Sequence, residues 1–482
     1  MLAQTRGDAP RARLGRARHP RHRAPERSSL PHEPWATPPP EERRFPDTID
    51  GAVTMTSQRW FTEAKLGIFI HWGIYSVDGV AESWSFFDGR IPYDDYMAQL
   101  DRFSAARFDP DTWADLFVRA GARYAVLTAK HHDGVALWDT GANDVSVVKR
   151  TPAGRDLVAE YVAALRRRDV KAGLYYSHLD WSHPDYATVR RPDEDPAERG
   201  NPYSMPAPGE EDPARWGNFL DFHRTQVREL LERFQPDLLW FDGEWERTPE
   251  QWGMDALAGE IRTRSPHTVV NGRLTGHGDY ATPEQGVPIE PPAGPWELCL
   301  TINDSWGYQP QDTHHKSPRQ LVRIFAETIG GGGNLLLDVG PQADGTILPE
   351  QVARLEALGE WIGRHSAAVY GTDRGMPHGH FYGPSTLSAD RRTLYLFVFD
   401  RPNEFVVLRG VRNAVTSVRV LGADTEAPHE RVGGLGEVPG WEYIHLADAD
   451  LDPLCTVLAL ELDGELDLYR THARDQAVPD GS

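Results

Sequence analysis

Apolar and polar positions follow two different rhythms along this chain. From Trp60 to about Gly371, short unbroken apolar runs alternate with stretches in which apolar residues recur every three or four positions. The runs at 66–73, 124–128, 170–177, 236–243, 267–271, 296–302 and 334–339 predict buried strands. Helical spacing is carried by Leu157, Val158, Tyr161, Val162 and Leu165, and by Trp216, Phe219, Leu220, His223, Val227, Leu230, Leu231 and Phe234. Further helices are predicted at 317–328 and 349–365. After about Thr372 the rhythm changes. Apolar runs at 394–399, 404–408, 415–420 and 457–462 are separated by turn residues, with no helical stretch between them. That pattern predicts a small antiparallel β-sandwich.

Alternating strands and helices over some three hundred residues imply a parallel sheet covered by helices. Polar residues end at least five of the predicted strands. A closed barrel gathers such residues into one pocket, whereas an open sheet spreads them along a crevice. The expected fold is therefore α/β, a (β/α)8-like TIM barrel followed by the sandwich, with some irregularity where helical spacing is weak. The expected layout is an Arg/Pro-rich disordered leader at 1–54, the catalytic barrel at 55–372, the sandwich at 373–470 and a polar tail at 471–482. The leader has no apolar stretch after its arginines, so it does not read as a secretory signal, and Met55 is an alternative start. A long Pro-rich, charged loop at 184–212 is expected to overhang the pocket.

Composition narrows the function. The chain has 482 residues and a formal charge of −21, which disfavours nucleic acid and anionic membranes as partners. No run of 18 apolar residues exists, so no transmembrane helix is expected. Two cysteines, Cys299 and Cys455, offer neither a disulfide framework nor a thiolate metal site. They suit a reducing compartment, and a cytoplasmic location is the expectation. Self-association into a homo-oligomer is left open. Tryptophan is abundant, at 15 residues, and indole rings suit the apolar faces of sugars.

The chemistry-bearing residues fit that direction. The run 236–243 ends in Asp242-Gly243, a short carboxylate delivered by a buried strand. A second carboxylate, Glu284, follows a proline on a later polar segment. Two carboxylates brought to one pocket are the requirement of glycoside hydrolysis, one as nucleophile and one as general acid and base. Glu244 and Glu297 are the runners-up for the acid/base. His71, His131 and His132 end predicted strands and, with Arg273, can bond sugar hydroxyls; Tyr175 can support the nucleophile, and Trp72 and Trp84 suit a sugar. Three histidines also raise a metal reading. Adjacent histidines on a strand point to opposite faces unless the chain turns, so no metal and no cofactor are expected. The run Gly330–Gly333 lacks the lysine of a phosphate loop and precedes a strand.

These stretches resemble the α-L-fucosidases of glycoside hydrolase family 29, from Trp60-Phe61 to about Gly371. The resemblance is carried by AKLGIFIHWG at 64–73, AKHHDG at 129–134, GLYYS at 173–177, LWFD at 239–242, TPE at 282–284, WELC at 296–299, SWGY at 305–308 and GGGNLLL at 331–337. It implies a retaining exo-α-L-fucosidase that acts without a metal on a fucosylated oligosaccharide or glycoconjugate. By position, Asp242 matches the nucleophile and Glu284 the acid/base. His71, Trp84, His131, His132, Tyr175, Trp240 and Arg273 match the lining of the fucose pocket. One departure stands out. Many members have Glu-Trp where this chain has Ser83-Trp84, so one hydroxyl contact is either lost or supplied by Glu82. The segment 301–306 resembles the branch that prefers α-1,3/1,4-linked fucose. Two other readings compete: an inactive carbohydrate-binding barrel, and a metal-dependent hydrolase built on His71, His131 and His132.

Overall fold

The computed structural model describes residues 59–186 and 212–470, all within the compact unit Ala52–Ser482. The expected leader, the tail and most of the 184–212 loop lie outside the described residues. Seven parallel strands form one sheet: β1 (Leu66–Ile70), β2 (Tyr124–Lys130), β3 (Lys171–Ser177), β4 (Leu238–Asp242), β5 (Val269–Val270), β6 (Glu297–Thr301) and β7 (Asn334–Val339). Their order is β5-β4-β3-β2-β1-β7-β6, so only the β5 and β6 edges remain to be joined. The segment 280–284 joins them. Tyr280 pairs with Asn271, Ala281 with Trp296 and Glu284 with Cys299, all in parallel sense. This irregular eighth stave closes the barrel, and it is the stretch that reads in sequence as a polar loop.

The outer layer is made by α1 (Pro110–Arg119), α2 (Leu157–Arg166), α3 (Pro213–Glu229), α4 (Met254–Arg264), α5 (Pro318–Gly330) and α6 (Pro349–Arg364). Their starts follow from local chemistry. Asp109 caps α1 by accepting from the amides of Asp111 and Thr112, and Ser317 with Gln320 forms a capping box on α5. Each has proline in its first turn, where no amide partner is needed. Among the described residues no helix stands between β5 and β6, which is the irregularity the weak helical spacing announces. No described helix is long and apolar enough to cross a membrane.

Strand parity separates the two packed regions. Ile68, Ile70, Leu174, Leu239 and Leu337 face the helices, with Trp361 and Phe325 in the same buried cluster. Phe69, Tyr124, Tyr175, Trp240, Cys299 and Leu336 pack together inside the barrel. Gly67 also faces inward: a β-carbon there would lie 2.3 Å from the ring of Tyr124. This glycine makes room for the phenol.

Beyond the barrel, a six-stranded antiparallel sheet is built on β8 (Thr393–Val398), β9 (Val415–Leu421) and β10 (Thr456–Leu462), with a three-stranded sheet against it. Alternation again sorts the side chains. Leu394, Leu396, Leu458 and Leu460 fill the sandwich, while Tyr395, Phe397 and Val457 turn to the barrel helices. There the indole of Trp361 donates to the carbonyl of Cys455 at 2.9 Å.

Candidate active site

Parity along β4 puts Leu238, Trp240 and Asp242 on the inner face, and Asp242 is the last residue of its strand. On β1 the same alternation carries Phe69 inward, and two residues later His71 comes off the strand end. The C-terminal mouth of the barrel thus collects these groups, as the fold directs. A cavity of about 180 Å³ opens there, with Asp242, Glu284, His71, Trp84, His131, His132, Tyr175, Trp240 and Arg273 in its wall. It is smaller than the ~300 Å³ at the low end of ordinary ligand clefts, a size for one monosaccharide. A larger cavity, about 1010 Å³, is lined by Lys65, Pro295 and Gly332 at the N-terminal ends of the staves, and by sandwich residues. It contains none of the strand-end groups.

Arg273 ties the two carboxylates together. One terminal nitrogen donates to Oδ1 of Asp242, and the other to Oε2 of Glu284 at 2.8 Å. Burial opposes the guanidinium's charge, but the carboxylates of Asp242, Glu244 and Glu284 outweigh it and hold the pKa above its ordinary value. The other oxygen of Asp242 accepts the phenol of Tyr175 at 2.7 Å and lies 3.7 Å from Nε2 of His132. Glu284 is the more open of the two, its side chain 42% exposed against 12% for Asp242. Gly243, with φ +84°, turns the chain away from β4; a β-carbon there would meet the side chain of Leu179 at 2.4 Å.

The three histidines are held neutral. Burial is the main cause in each, and neighbouring histidines and Lys130 add to it. Their Nδ1 atoms are engaged with Asp338 (2.7 Å), Ser83 Oγ (2.7 Å) and Ser177 Oγ (2.6 Å) respectively. This leaves Nε2 of each ring for the cavity. His131 and His132 do not point apart. β2 ends at Lys130 and the chain turns, so both rings line the cavity, 4.2 Å apart. Among the described residues no group of three or more His, Cys, Asp or Glu side chains is arranged to hold a metal ion.

Other expectations need correcting. Glu297 is inward-facing but fully buried and absent from the cavity wall. It begins β6, so it sits toward the N-terminal end of the barrel. There it accepts from the Tyr124 phenol, from Trp240 Nε1 at 2.9 Å and from the Tyr280 phenol at 3.4 Å. Burial pushes its pKa up to about 7. Glu244 also lies outside the wall, in the 3-10 turn after Asp242, where its carbonyl accepts from Trp252 Nε1 at 3.0 Å. Trp72 is one residue out of phase with His71 and is buried against Phe103, Phe108 and Trp113.

The Ser83-Trp84 departure has a structural counterpart. Ser83 is spent on His131 and on the amide of Asp133, and Glu82 enters the cavity wall. Its carboxyl accepts from the amide of Gly307 at 3.3 Å, and burial raises its pKa to about 7. Sequence reasoning missed Phe69, Cys299, Trp245 and Trp306 in the wall. The inward parity of Phe69 and Cys299 was available in the pattern. Trp245 and Trp306 lie beyond strand ends, where periodicity gives no signal.

Paired carboxylates and neutral imidazoles in a single-sugar cavity, at the C-terminal mouth of a (β/α) barrel, define a glycoside hydrolase. The family model for alpha-L-fucosidase matches residues 36–367. The tissue alpha-L-fucosidase of Rattus norvegicus is 33% identical over 340 residues, 65% of this chain and 69% of that protein. The solved alpha-L-fucosidase isoenzyme 1 of Paenibacillus thiaminolyticus is 32% identical with a TM-score of 0.76, covering 85% of this chain and all of that one. An alpha-L-fucosidase of Bacteroides thetaiotaomicron, solved as a trapped covalent intermediate, shares the fold at 24% identity and a TM-score of 0.73, over 84% and 96% of the two chains. The chain belongs to the alpha-L-fucosidase family of glycoside hydrolases, family 29.

Proposed function

We propose that this chain is an exo-acting, retaining α-L-fucosidase in which Asp242 is the nucleophile and Glu284 the acid and base. The observation that carries this reading is Arg273 spanning both carboxylates inside a cavity sized for one sugar. A double displacement follows from it. An oxygen of Asp242 bonds to the anomeric carbon as the bond to the leaving oxygen breaks; that oxygen takes the electron pair and the proton of Glu284. Water then attacks the same carbon and gives its proton to Glu284, the bond to Asp242 breaks, and α-L-fucose leaves with net retention. Tyr175 and Arg273 aim the Asp242 carboxylate before attack and stabilise it on departure. The trapped covalent intermediate of the Bacteroides relative supports this route by analogy.

Neutral His71, His131 and His132 are suited to the ring hydroxyls, and Trp84 and Trp240 to the apolar face and methyl group. The substrate is a fucosylated oligosaccharide or glycoconjugate. A preference for α-1,3/1,4 linkages is proposed from the 301–306 segment, which brings Trp306 to the wall, 4.9 Å from the ring of His71. A panel of glycans of defined linkage checks this; faster turnover of α-1,2 or α-1,6 linkages would remove it. The mechanism is tested by Asp242→Gly. Turnover of an aryl fucoside should fall by on the order of 10³–10⁴-fold, and azide should restore it with the inverted β-fucosyl azide as product. Near-normal turnover in that variant would end the assignment.

A further inference from the structure

Trp245 is half exposed, one of the few large apolar side chains that are, and it stands in the wall of the cavity three positions after Asp242. It is held there. On one side, Trp252 donates to the carbonyl of Glu244 at 3.0 Å. On the other, the carboxylate of Glu246 accepts from Trp181 Nε1 at 3.2 Å and from the Tyr186 phenol. Gly243 fixes the turn before it, in a left-handed conformation. The indole itself stands edge-on to His132, with ring centroids 6.0 Å apart and planes at 89°. A loop pinned on both flanks thus presents a wet aromatic face at a mouth whose interior has room for one sugar.

We infer that Trp245 is the platform of a second subsite, one that stacks on the pyranose to which fucose is attached. This rests on the fucosidase reading above. The negative face of an indole attracts the weakly positive C–H groups of a pyranose's apolar side, and a rigid ring loses little entropy on binding. The partly exposed Glu284 shares the same mouth, so an anionic leaving sugar is disfavoured here. The subsite helps to orient the leaving oxygen towards Glu284, and it acts only when a leaving sugar is present.

The test compares two substrates in the full chain. Fucosyl fluoride has a leaving group with nothing to stack; a fucosylated neutral disaccharide does. For Trp245→Ala, kcat/KM on the disaccharide should fall about tenfold to a hundredfold more than on the fluoride, mainly through KM. Trp245→Phe, which keeps a flat ring, should recover most of the difference. Equal losses on both substrates, no loss on the disaccharide, or loss of fluoride turnover in both variants would overturn the subsite. Failure of the unaltered protein to hydrolyse fucosyl fluoride would instead remove the fucosidase reading on which it rests.

Discussion

Asp242 and Glu297 are both inward-facing carboxyl groups on staves of one barrel, yet they occupy opposite chemical worlds. Asp242 ends β4, and at that mouth it meets Arg273, Tyr175 and a cavity. Glu297 begins β6, and towards the barrel's other end it meets two phenols and an indole, with no solvent. A cation and an opening suit the first to the nucleophile's part proposed for it. Burial makes the second a group that favours its proton, at a pKa of about 7, against the three donors, which favour the anion. The end of the strand on which a carboxyl sits therefore decides whether it serves chemistry or packing.

The largest expected effect short of removing Asp242 belongs to the residue that makes its end of the barrel different. Arg273→Ala strips the cation from both carboxylates, and kcat/KM on any fucoside should fall by about 10²–10³-fold; a loss under tenfold would show that the shared guanidinium is incidental. Glu284→Ala should divide substrates. Natural glycans should lose about a hundredfold, while substrates with good leaving groups lose little in the first step. Equal losses would reassign the acid, with Glu82, the other glutamate in the cavity wall, next in line.

At the other end, Glu297→Gln should leave kcat within a few-fold and instead change how stability depends on pH. The carboxyl's folded pKa is raised from the ordinary 4.5 to about 7. Below pH 4.5 both folded and unfolded states are protonated and nothing is lost. Between 4.5 and 7 the unfolded chain releases its proton first, so stability falls as pH rises, by up to about 3 kcal/mol. Glutamine does not titrate. The Tm of Glu297→Gln should therefore gain on that of the unaltered protein from pH 4.5 to 7. A constant gap across that range would contradict the assigned environment.

Much of this was legible in the sequence because both rhythms survive folding. The apolar run ending in Asp242-Gly243 predicts a strand that delivers a carboxylate, and parity through Leu238 and Trp240 says which way it faces. The same argument applied to 296–302 would have placed Glu297 at the start of its strand, away from the mouth. The stave at 280–284 was not legible. Proline and polar residues mask a segment whose pairing is set by the two edges it must bridge. His131 and His132 were placed in the pocket by the resemblance, but that both rings face it was not legible: alternation holds only while the strand lasts, and β2 ends at Lys130, just before them. Trp245 depends on the anchoring of Glu246 by Trp181 and Tyr186, which are distant in sequence.

Which carboxylate bonds to the sugar decides the mechanism. Incubation with 2-deoxy-2-fluoro-fucosyl fluoride should capture it, because the fluorine at C2 slows both steps while the fluoride leaving group keeps the first one fast enough to label the protein. Peptide mapping by mass spectrometry should then find one fucosyl adduct, on Asp242. An adduct on Glu284, Glu244 or Glu297, or steady turnover of unlabelled protein by an inverting route, would contradict it.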